Sequence, residues 1–217
     1  MKQVFLRKTG SERLLLVFAG WGMDENLIEL SSTMKTDVML CHDYRSLAFD
    51  ASMLVCYKGI RLLAWSMGVW VAGHVLGKMS LPWEGKVAFN GTPFPIDNER
   101  GIPVSVFEGT LNNFSETVLS RFHRRMCGDG DALRLFMRHL SQRNVEDLRE
   151  ELQALYNAVL HSDEAPSMQW DRAVIGLRDR IFPAENQQNA WKDRAEMVMV
   201  DAAHYDADVM QQLIDAE

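Results

Sequence analysis

The sequence has few cysteines, no excess of basic residues and no long apolar run, and each absence excludes a class of protein. Three cysteines among 217 residues are too few, and odd in number, for a disulfide framework. Cys41 and Cys56 lie inside apolar runs, so we expect reduced and mostly buried thiols. A formal net charge of -7 argues against general affinity for nucleic acid or an anionic membrane.

The apolar runs of the N-terminal stretch, up to Gly22, are too short for a membrane-spanning helix. Charged residues also interrupt any signal-peptide core there. We therefore expect a cytoplasmic protein that makes no membrane contact. We also expect a monomer.

Alternation of strand and helix patterns marks the first ninety residues, and it is typical of βαβ units in a mostly parallel sheet. With only 6 prolines and 14 glycines the composition is that of an ordinary globular protein, and 217 residues suit one domain with an insertion. Helices are predicted over 25–34 and 69–78, whereas 47–55 is ambiguous. The predicted strands cover 3–7, 13–18, 37–41, 60–64 and 86–89.

A helical region interrupts this pattern after the turn-rich stretch 90–100. Apolar residues at three- and four-residue spacing predict helices over 114–126, 132–139 and 145–161. The sheet then resumes with strands 173–177 and 196–200 and a final helix over 205–214. We therefore predict a core of residues 1–100 and 169–217 and a helical lid of residues 101–168. The lid would cover the carboxyl ends of the strands, where ligands bind in such sheets; the alternative is a helical decoration that contacts no site.

Ser66 is the first candidate for chemistry, within the stretch AWSMG. It follows a predicted strand and precedes an apolar, small-residue helix pattern, which is the context of a nucleophile elbow. Ala64 replaces the first glycine of the common G-x-S-x-G form, but Ala64 and Gly68 are both small enough for close approach of strand and helix. Alternatively, Ser66 caps the helix N-terminus.

Asp179 and His204 complete the set that a serine nucleophile requires. Each lies just past a late predicted strand, and the order Ser, Asp, His is that of α/β-hydrolases. Taken singly, Asp179 could pair with Arg178 or Arg180, and His204 could simply begin the last helix. Three placements at strand ends in the required order favour a catalytic triad.

Acyl transfer also needs hydrogen-bond donors for the oxyanion. We assign the backbone N–H groups of Met67, after the nucleophile, and Trp21, in the glycine-bounded turn after an early strand. The same glycines are also those that any tight turn requires.

No metal or cofactor site is predicted. The histidines outside the candidate triad lack the pairing of metal ligands, and the chain has no G-x-G-x-x-G or phosphate-loop pattern. His42 and Asp43 follow a strand, but neighbours in sequence seldom converge, so a loop role is favoured. The remaining histidines are His74, His123, His139 and His161.

Several motifs together resemble the pimeloyl-[acyl-carrier-protein] methyl ester esterases of biotin synthesis, of the shorter BioG type. The motifs are F-A-G-W-G-M-D, D-Y-R, A-W-S-M-G, G-x-x-D-x-x-F-P and A-H-Y. The resemblance implies an α/β-hydrolase fold with a helical lid, the triad Ser66, Asp179 and His204, and the Trp21 and Met67 amides as oxyanion hole. It also implies that Trp21 and Trp65 line the acyl pocket. Ala64 departs from the G-W-S-x-G of the related BioH type.

An acidic acyl-carrier protein is the partner that this resemblance implies, and an arginine cluster offers it a surface. Between 121 and 143 six arginines face only two acids, a local reversal of the chain's negative charge. The alternative is a solvated face paired with Glu146, Asp147, Glu150 and Glu151. The candidate carrier-binding residues are Arg121, Arg124, Arg125, Arg134 and Arg138.

The sequence thus predicts a serine carboxylesterase that hydrolyses the methyl ester of a pimeloyl chain on acyl-carrier protein. Two alternatives stay open. One is a thioesterase or a general short-chain carboxylesterase with the same triad, and the other is a non-catalytic module that binds acyl-carrier protein.

Overall fold

The strands form a single mostly parallel sheet in the computed structural model, which describes residues 1–162 and 167–216. Across the sheet their order is β1-β3-β2-β4-β5-β6-β7, where β1 pairs antiparallel with β3 and every other pair is parallel. The prediction of a mostly parallel sheet is therefore confirmed. The strands are β1 (Lys2–Arg7), β2 (Arg13–Phe18), β3 (Asp37–His42), β4 (Gly59–Trp65), β5 (Trp83–Phe89), β6 (Arg172–Gly176) and β7 (Glu196–Val200).

Continuous burial of the central strands explains their composition. Every residue of β3 is buried, as is every residue of β2 after Arg13. A parallel sheet covered by helices on both faces excludes water from both, so its strands consist of unbroken apolar runs such as LLLVF. Helix α1 (Met67–Leu76) packs against β2 and β4, and α6 (Ala184–Trp191) packs against β6 and β7. The chain ends in α7 (Ala207–Asp215).

The predicted helical insertion lies between β5 and β6 and contributes four α-helices to the described chain. Residues 163–166, at the end of the predicted lid, lie outside the described residues. We call helices α2 to α5 the helical insertion. They are α2 (Val104–Asn112), α3 (Glu116–Cys127), α4 (Gly130–Phe136) and α5 (Val145–Leu160).

The predicted helix over 25–34 is wrong: only a 3₁₀ turn, Glu25–Leu27, forms there. One oxygen of Asp24 caps this turn at Asn26, and the other accepts a hydrogen bond from the backbone of Gln142 in the insertion. Ile28 is already extended, and local bonds between Ser31 and Thr33 compete with helix formation. Tertiary contacts thus override a helical pattern. The ambiguous 47–55 contains a short 3₁₀ helix, Ala51–Leu54.

Helices α2 and α6 were missed by the sequence analysis. Both begin directly after a proline, Pro103 and Pro183. Proline is frequent where helices start, and this was the signal that could have revealed them. Of the cysteines, Cys41 and Cys127 are buried as expected, whereas Cys56 is exposed; all three are free thiols. Across the described residues, none of the helices combines the length and apolar character needed to span a membrane.

Candidate active site

Ser66 occupies the turn between β4 and α1 with a backbone φ of 59° and ψ of -130°. A positive φ is uncommon for a residue other than glycine, and such strain is typical of functional turns. Although Ser66 stands at the N-cap position, its side chain makes no capping hydrogen bond. Its Oγ lies instead 2.9 Å from Nε2 of His204. The serine side chain is therefore engaged with the histidine rather than with the helix terminus.

Close packing around this turn depends on small residues. A Cβ atom at Gly68 would collide with the carbonyl oxygen of Ala19, so the first turn of α1 lies directly against the loop after β2. A Cβ atom at Gly20 would lie 3.1 Å from the Trp65 ring and 3.2 Å from the Ser66 Cβ. The glycine-bounded loop and the serine turn consequently share one tightly packed edge of the sheet.

His204 and Asp179 form a buried pair beside Ser66. Nδ1 of His204 lies 2.8 Å from Oδ2 of Asp179, and both side chains are 1% exposed or less. The other carboxylate oxygen accepts hydrogen bonds from the backbone N–H groups of Ile181, at 2.7 Å, and Phe182, at 2.9 Å. These contacts fix the Asp179 carboxylate toward the imidazole, and the hydrogen-bonded chain Asp179–His204–Ser66 is continuous.

Other residues fill the alternative roles of Asp179 and His204. Arg178 pairs with Asp201 at 2.6 Å rather than with Asp179. The final helix is capped by Asp206, whose carboxylate accepts from the backbone of Val209.

Two polar residues that the sequence analysis missed hold the pair in place. Nε2 of Gln187 donates to Oδ2 of Asp179 at 3.0 Å, and the buried side chain of Asn90 donates to the backbone carbonyl of His204 at 3.0 Å. Asn90 directly follows β5, so the strand-end rule that singled out Asp179 and His204 applies to it as well. Gln187 lies in α6, a helix that the sequence did not reveal, and no pattern marked it.

Trp21 and Met67, whose backbone N–H groups are the predicted oxyanion donors, line the same pocket as Ser66. Neither of these backbone N–H groups donates to an acceptor within the described residues. Met67 opens helix α1, where the first N–H groups of a helix have no partner in the helix itself. The Trp21 side chain is anchored separately: its indole N–H donates to the carbonyl of Leu148 at 2.8 Å, and its ring meets Phe114 and Phe122 edge to face.

An apolar pocket reaches from Ser66 into the helical insertion. Among the described residues that line it, Arg125 alone carries a charge. Burial lowers the pKa of the Arg125 guanidinium, and the negative charge of Asp179 opposes this effect. The remaining lining residues are Trp21, Ser66, Met67, Ile102, Val106, Phe107, Thr110, Phe122, Leu152 and Ile181.

Trp65 does not belong to this lining, which differs from the expectation that it faces the acyl chain. Its indole N–H donates to the backbone carbonyl of His204 at 2.9 Å, and its ring packs on His204 and Tyr205. Trp65 is the last residue of β4, and these contacts place its side chain beside the loop that carries His204. It supports His204 instead of contacting the pocket.

The five predicted carrier-binding arginines are exposed on α3, on α4 and just after α4. Arg134 pairs with Asp131, whereas in the described part of the chain the other four form no ion pair. Of the acids that are the alternative partners, Asp147 and Glu150 pair with Arg45, which lies outside the arginine cluster. Glu151 does pair with an arginine of the cluster, Arg143, but this pair is buried and is not part of a solvated face.

A metal site is not built by this arrangement: within the described residues, no group of three or more histidine, cysteine or acidic side chains is placed to hold an ion.

Comparisons with known proteins identify relatives that match nearly the whole chain. A protein of Bacteroides fragilis named malonyl-[acyl-carrier protein] O-methyltransferase is 48% identical over 200 residues; the match covers 91% of this chain but only 40% of that protein's length. The crystal structure of BioG from Haemophilus influenzae superposes with a TM-score of 0.86 at 34% identity and 96% coverage of both chains.

More distant structures share the fold alone. An esterase from Exiguobacterium antarcticum has a TM-score of 0.68 at 12% identity, over 98% of this chain and 91% of that one. The α/β-hydrolase fold predicted from the sequence is thereby confirmed. The family described as pimeloyl-ACP methyl esterase BioG matches residues 1–212. The chain therefore belongs to the BioG family, a family of carboxylic ester hydrolases.

Proposed function

We propose that this chain hydrolyses the methyl ester of a pimeloyl chain carried on acyl-carrier protein, through an acyl-enzyme on Ser66. The observation that carries the proposal is the buried chain of hydrogen bonds from Asp179 through His204 to Ser66, which ends at an apolar pocket. Family membership supports the ester and the carrier.

The first half-reaction transfers the acyl group to serine. Nε2 of His204 accepts the proton of the Ser66 hydroxyl as Oγ bonds to the ester carbonyl carbon. The carbonyl oxygen becomes an oxyanion, for which the free N–H groups of Trp21 and Met67 are the donors. His204 then protonates the leaving methoxy oxygen, and methanol departs.

The second half-reaction repeats these steps with water. His204 takes a proton from the water as its oxygen attacks the acyl-enzyme carbonyl, and the proton returns to Ser66 as the ester bond to Oγ breaks. The product is a free terminal carboxylic acid on the acyl chain, which then releases its proton to water. Asp179 keeps its charge throughout and stabilises the imidazolium that forms twice.

The pocket supports an aliphatic acyl chain. Its walls are apolar side chains such as Val106, Phe107 and Leu152, which suit methylene groups better than a polar substrate. The arginines of α3 that lack acidic partners give an acidic carrier protein a surface next to this pocket.

A Ser66→Ala variant tests the mechanism with methyl pimeloyl-acyl-carrier protein as substrate. We expect turnover to fall by about 10⁴-fold or more, because the nucleophile is gone, while substrate affinity persists. Ser105→Ala, on the exposed side of α2, is the matched control and should retain activity. Undiminished hydrolysis by Ser66→Ala would refute the proposed mechanism.

Two alternatives are separated by substrate choice and by labelling. Activity on thioesters or simple nitrophenyl esters, without activity on the carrier-linked methyl ester, would indicate a thioesterase or a general carboxylesterase. A serine-reactive phosphonate that fails to label Ser66 in the folded protein would indicate a non-catalytic carrier-binding module.

A further inference from the structure

A buried charge cluster joins the helical insertion to the sheet, apart from the triad. Its centre is Glu151 of α5, whose side chain is fully buried. The guanidinium of Arg143, 7% exposed, lies 2.6 Å from Glu151 and 3.1 Å from Asp43, which follows β3. Lone charges are seldom buried, because removal from water is costly, so each member of the cluster depends on its partners.

Glu151 uses both carboxylate oxygens on backbone donors. Oε1 accepts from the N–H of Tyr44 at 2.8 Å, and Oε2 accepts from the N–H of Gly22 at 3.2 Å as well as from Arg143. Burial raises the pKa of Glu151, while Arg143 and the two backbone donors oppose the rise. One side chain of the insertion thereby ties together the loops that follow β2 and β3.

The Gly22 contact matters because of what precedes it in the chain. The N–H of Gly22 belongs to the peptide group that links it to Trp21, whose own N–H is one of the two donors assigned to the oxyanion. One turn earlier in α5, the carbonyl of Leu148 accepts the Trp21 indole N–H at 2.8 Å. Helix α5 therefore holds both the side chain of Trp21 and the peptide after it.

Further contacts fix the rest of this loop to the same part of the insertion. Arg143 reaches the carbonyl of Met23 at 3.4 Å, and the backbone of Gln142 donates to Asp24 at 2.6 Å. Gly22 itself has a φ of 81°, a conformation that only glycine adopts readily, so the turn requires glycine at this position. The contacts with α5 then hold the turn in place.

We propose that Glu151 is a positioning residue. From the helical insertion it holds the loop that contains Trp21 and Gly22, and so keeps the Trp21 N–H aligned with the serine nucleophile. This inference rests on the proposed function. A hydrogen-bond donor stabilises an oxyanion only if it points to where the charge develops, and a displacement of about 1 Å costs roughly 100-fold in rate. Loss of the Glu151 contacts should reduce transition-state stabilisation, while ground-state binding of the substrate in the apolar pocket stays unchanged.

The test is Glu151→Gln, assayed on a soluble methyl pimelate ester to keep carrier docking out of the measurement. We expect kcat to fall by about 10-fold to 100-fold with KM unchanged within about 2-fold. Affinity for a boronic acid that forms a tetrahedral adduct with Ser66 should fall by a similar factor. Glu146→Gln is the matched control, since Glu146 is exposed on the same helix and forms no ion pair among the described residues, and it should leave all three quantities unchanged.

A second variant separates positioning from folding. In Glu151→Gln/Arg143→Gln neither member of the central pair is left as an unpaired charge, which removes the main reason for a loss of stability. We expect this variant to fold cooperatively and still show the kcat defect. If the single and double variants both fail to fold, the cluster serves folding and the inference is overturned.

The remaining outcomes distinguish the inference from the function on which it rests. Wild-type protein that hydrolyses no ester contradicts the proposed function. Active wild type with an unchanged kcat in Glu151→Gln overturns the inference alone, as does a rise in KM with no change in kcat.

Discussion

The side-chain amide of Asn90 donates hydrogen bonds to the backbone carbonyls of Ala203, at 2.8 Å, and His204, at 3.0 Å. Its Oδ1 accepts from the backbone N–H of Gly176 at 2.7 Å. One fully buried asparagine thus links the carboxyl ends of β5 and β6 to the loop that carries the candidate base. The φ of Asn90 is 45°, a left-handed conformation that asparagine tolerates better than most residues.

Asn90→Asp should impair catalysis and also lower the stability of the protein, because the new carboxylate is buried beside two carbonyl groups. Aspartate keeps the size and the tolerance for positive φ, but its carboxylate cannot donate to the two carbonyls and repels them. An unsatisfied buried group costs about 1–3 kcal/mol, so we expect kcat to fall by about 10-fold or more as His204 shifts. Steady-state kinetics on the methyl ester measures this.

Asn113→Asp is the matched control for Asn90→Asp, since Asn113 is exposed at the end of α2 and its amide bonds only the local carbonyl of Gly109. Equal kcat values for the two variants would contradict a positioning role for Asn90.

Gln187→Met should lower kcat without abolishing it. Gln187 donates to Asp179 at 3.0 Å and to the carbonyl of Phe182 at 2.8 Å, whereas methionine fills a similar volume with no donor. Asp179 still accepts from two backbone N–H groups, so we expect a loss of about 10-fold to 150-fold, equivalent to the roughly 1.5–3 kcal/mol of one hydrogen bond to a charged group. Gln188→Met, one residue along on the exposed side of α6, should behave as wild type in the same assay. A kcat of Gln187→Met equal to that of Gln188→Met would refute the assignment.

His123 should make the stability of the protein depend on pH. It is buried in α3 against the rings of Phe122 and Phe136, and burial lowers its pKa from 6.5 to about 4. Between these values the unfolded chain binds a proton that the folded protein does not, so acid favours unfolding. The free energy of unfolding should lose about 3 kcal/mol from this group as the pH falls from 6.5 to 4.

Chemical denaturation at several pH values measures that slope. In His123→Phe, which keeps an aromatic ring in an apolar site, the slope should decrease by the contribution of one proton. His74→Phe, at an exposed histidine that stacks on Trp70, is the matched variant for comparison. A wild-type slope retained in His123→Phe would show that other groups titrate.

Local sequence rules located much of the candidate site because the site is built where strands end. Ser66, Asp179 and His204 each follow a strand whose apolar run is unmistakable, and parallel strands bring their carboxyl ends to one edge. The same geometry placed the Trp21 turn beside them. Site residues that directly follow a strand can therefore be predicted from the sequence.

The direction of a side chain, and contacts between residues far apart in the sequence, cannot be predicted in this way. Its position beside Ser66 predicts that Trp65 faces the acyl pocket, but its indole packs on His204 and donates to the backbone carbonyl of that residue. Glu151 has the appearance of one more acid on an amphipathic helix, and only the packing of α5 on the loops after β2 and β3 gives it buried partners. Such contacts join residues more than one hundred positions apart, and no local pattern reports them.

Arg121 and Arg124 should govern affinity for the carrier protein rather than catalysis. They lie on the exposed side of α3, the helix whose Phe122 and Arg125 line the pocket. For the double variant Arg121→Glu/Arg124→Glu we expect KM for methyl pimeloyl-acyl-carrier protein to rise by about 10-fold or more, with kcat unchanged, because the acidic carrier now meets like charge.

Two comparisons isolate that electrostatic effect. The soluble methyl pimelate ester, which lacks the carrier, should be hydrolysed by Arg121→Glu/Arg124→Glu as by the wild type. Arg13→Glu/Lys58→Glu changes the net charge equally at the opposite end of the sheet, where β2 and β4 begin, and should leave KM for the carrier substrate unchanged. Added salt should weaken carrier binding to wild type, since it screens exposed charges beyond about 10 Å at 0.1 M. Equal KM values for the two double variants would show that net charge, and not a surface on α3, attracts the carrier.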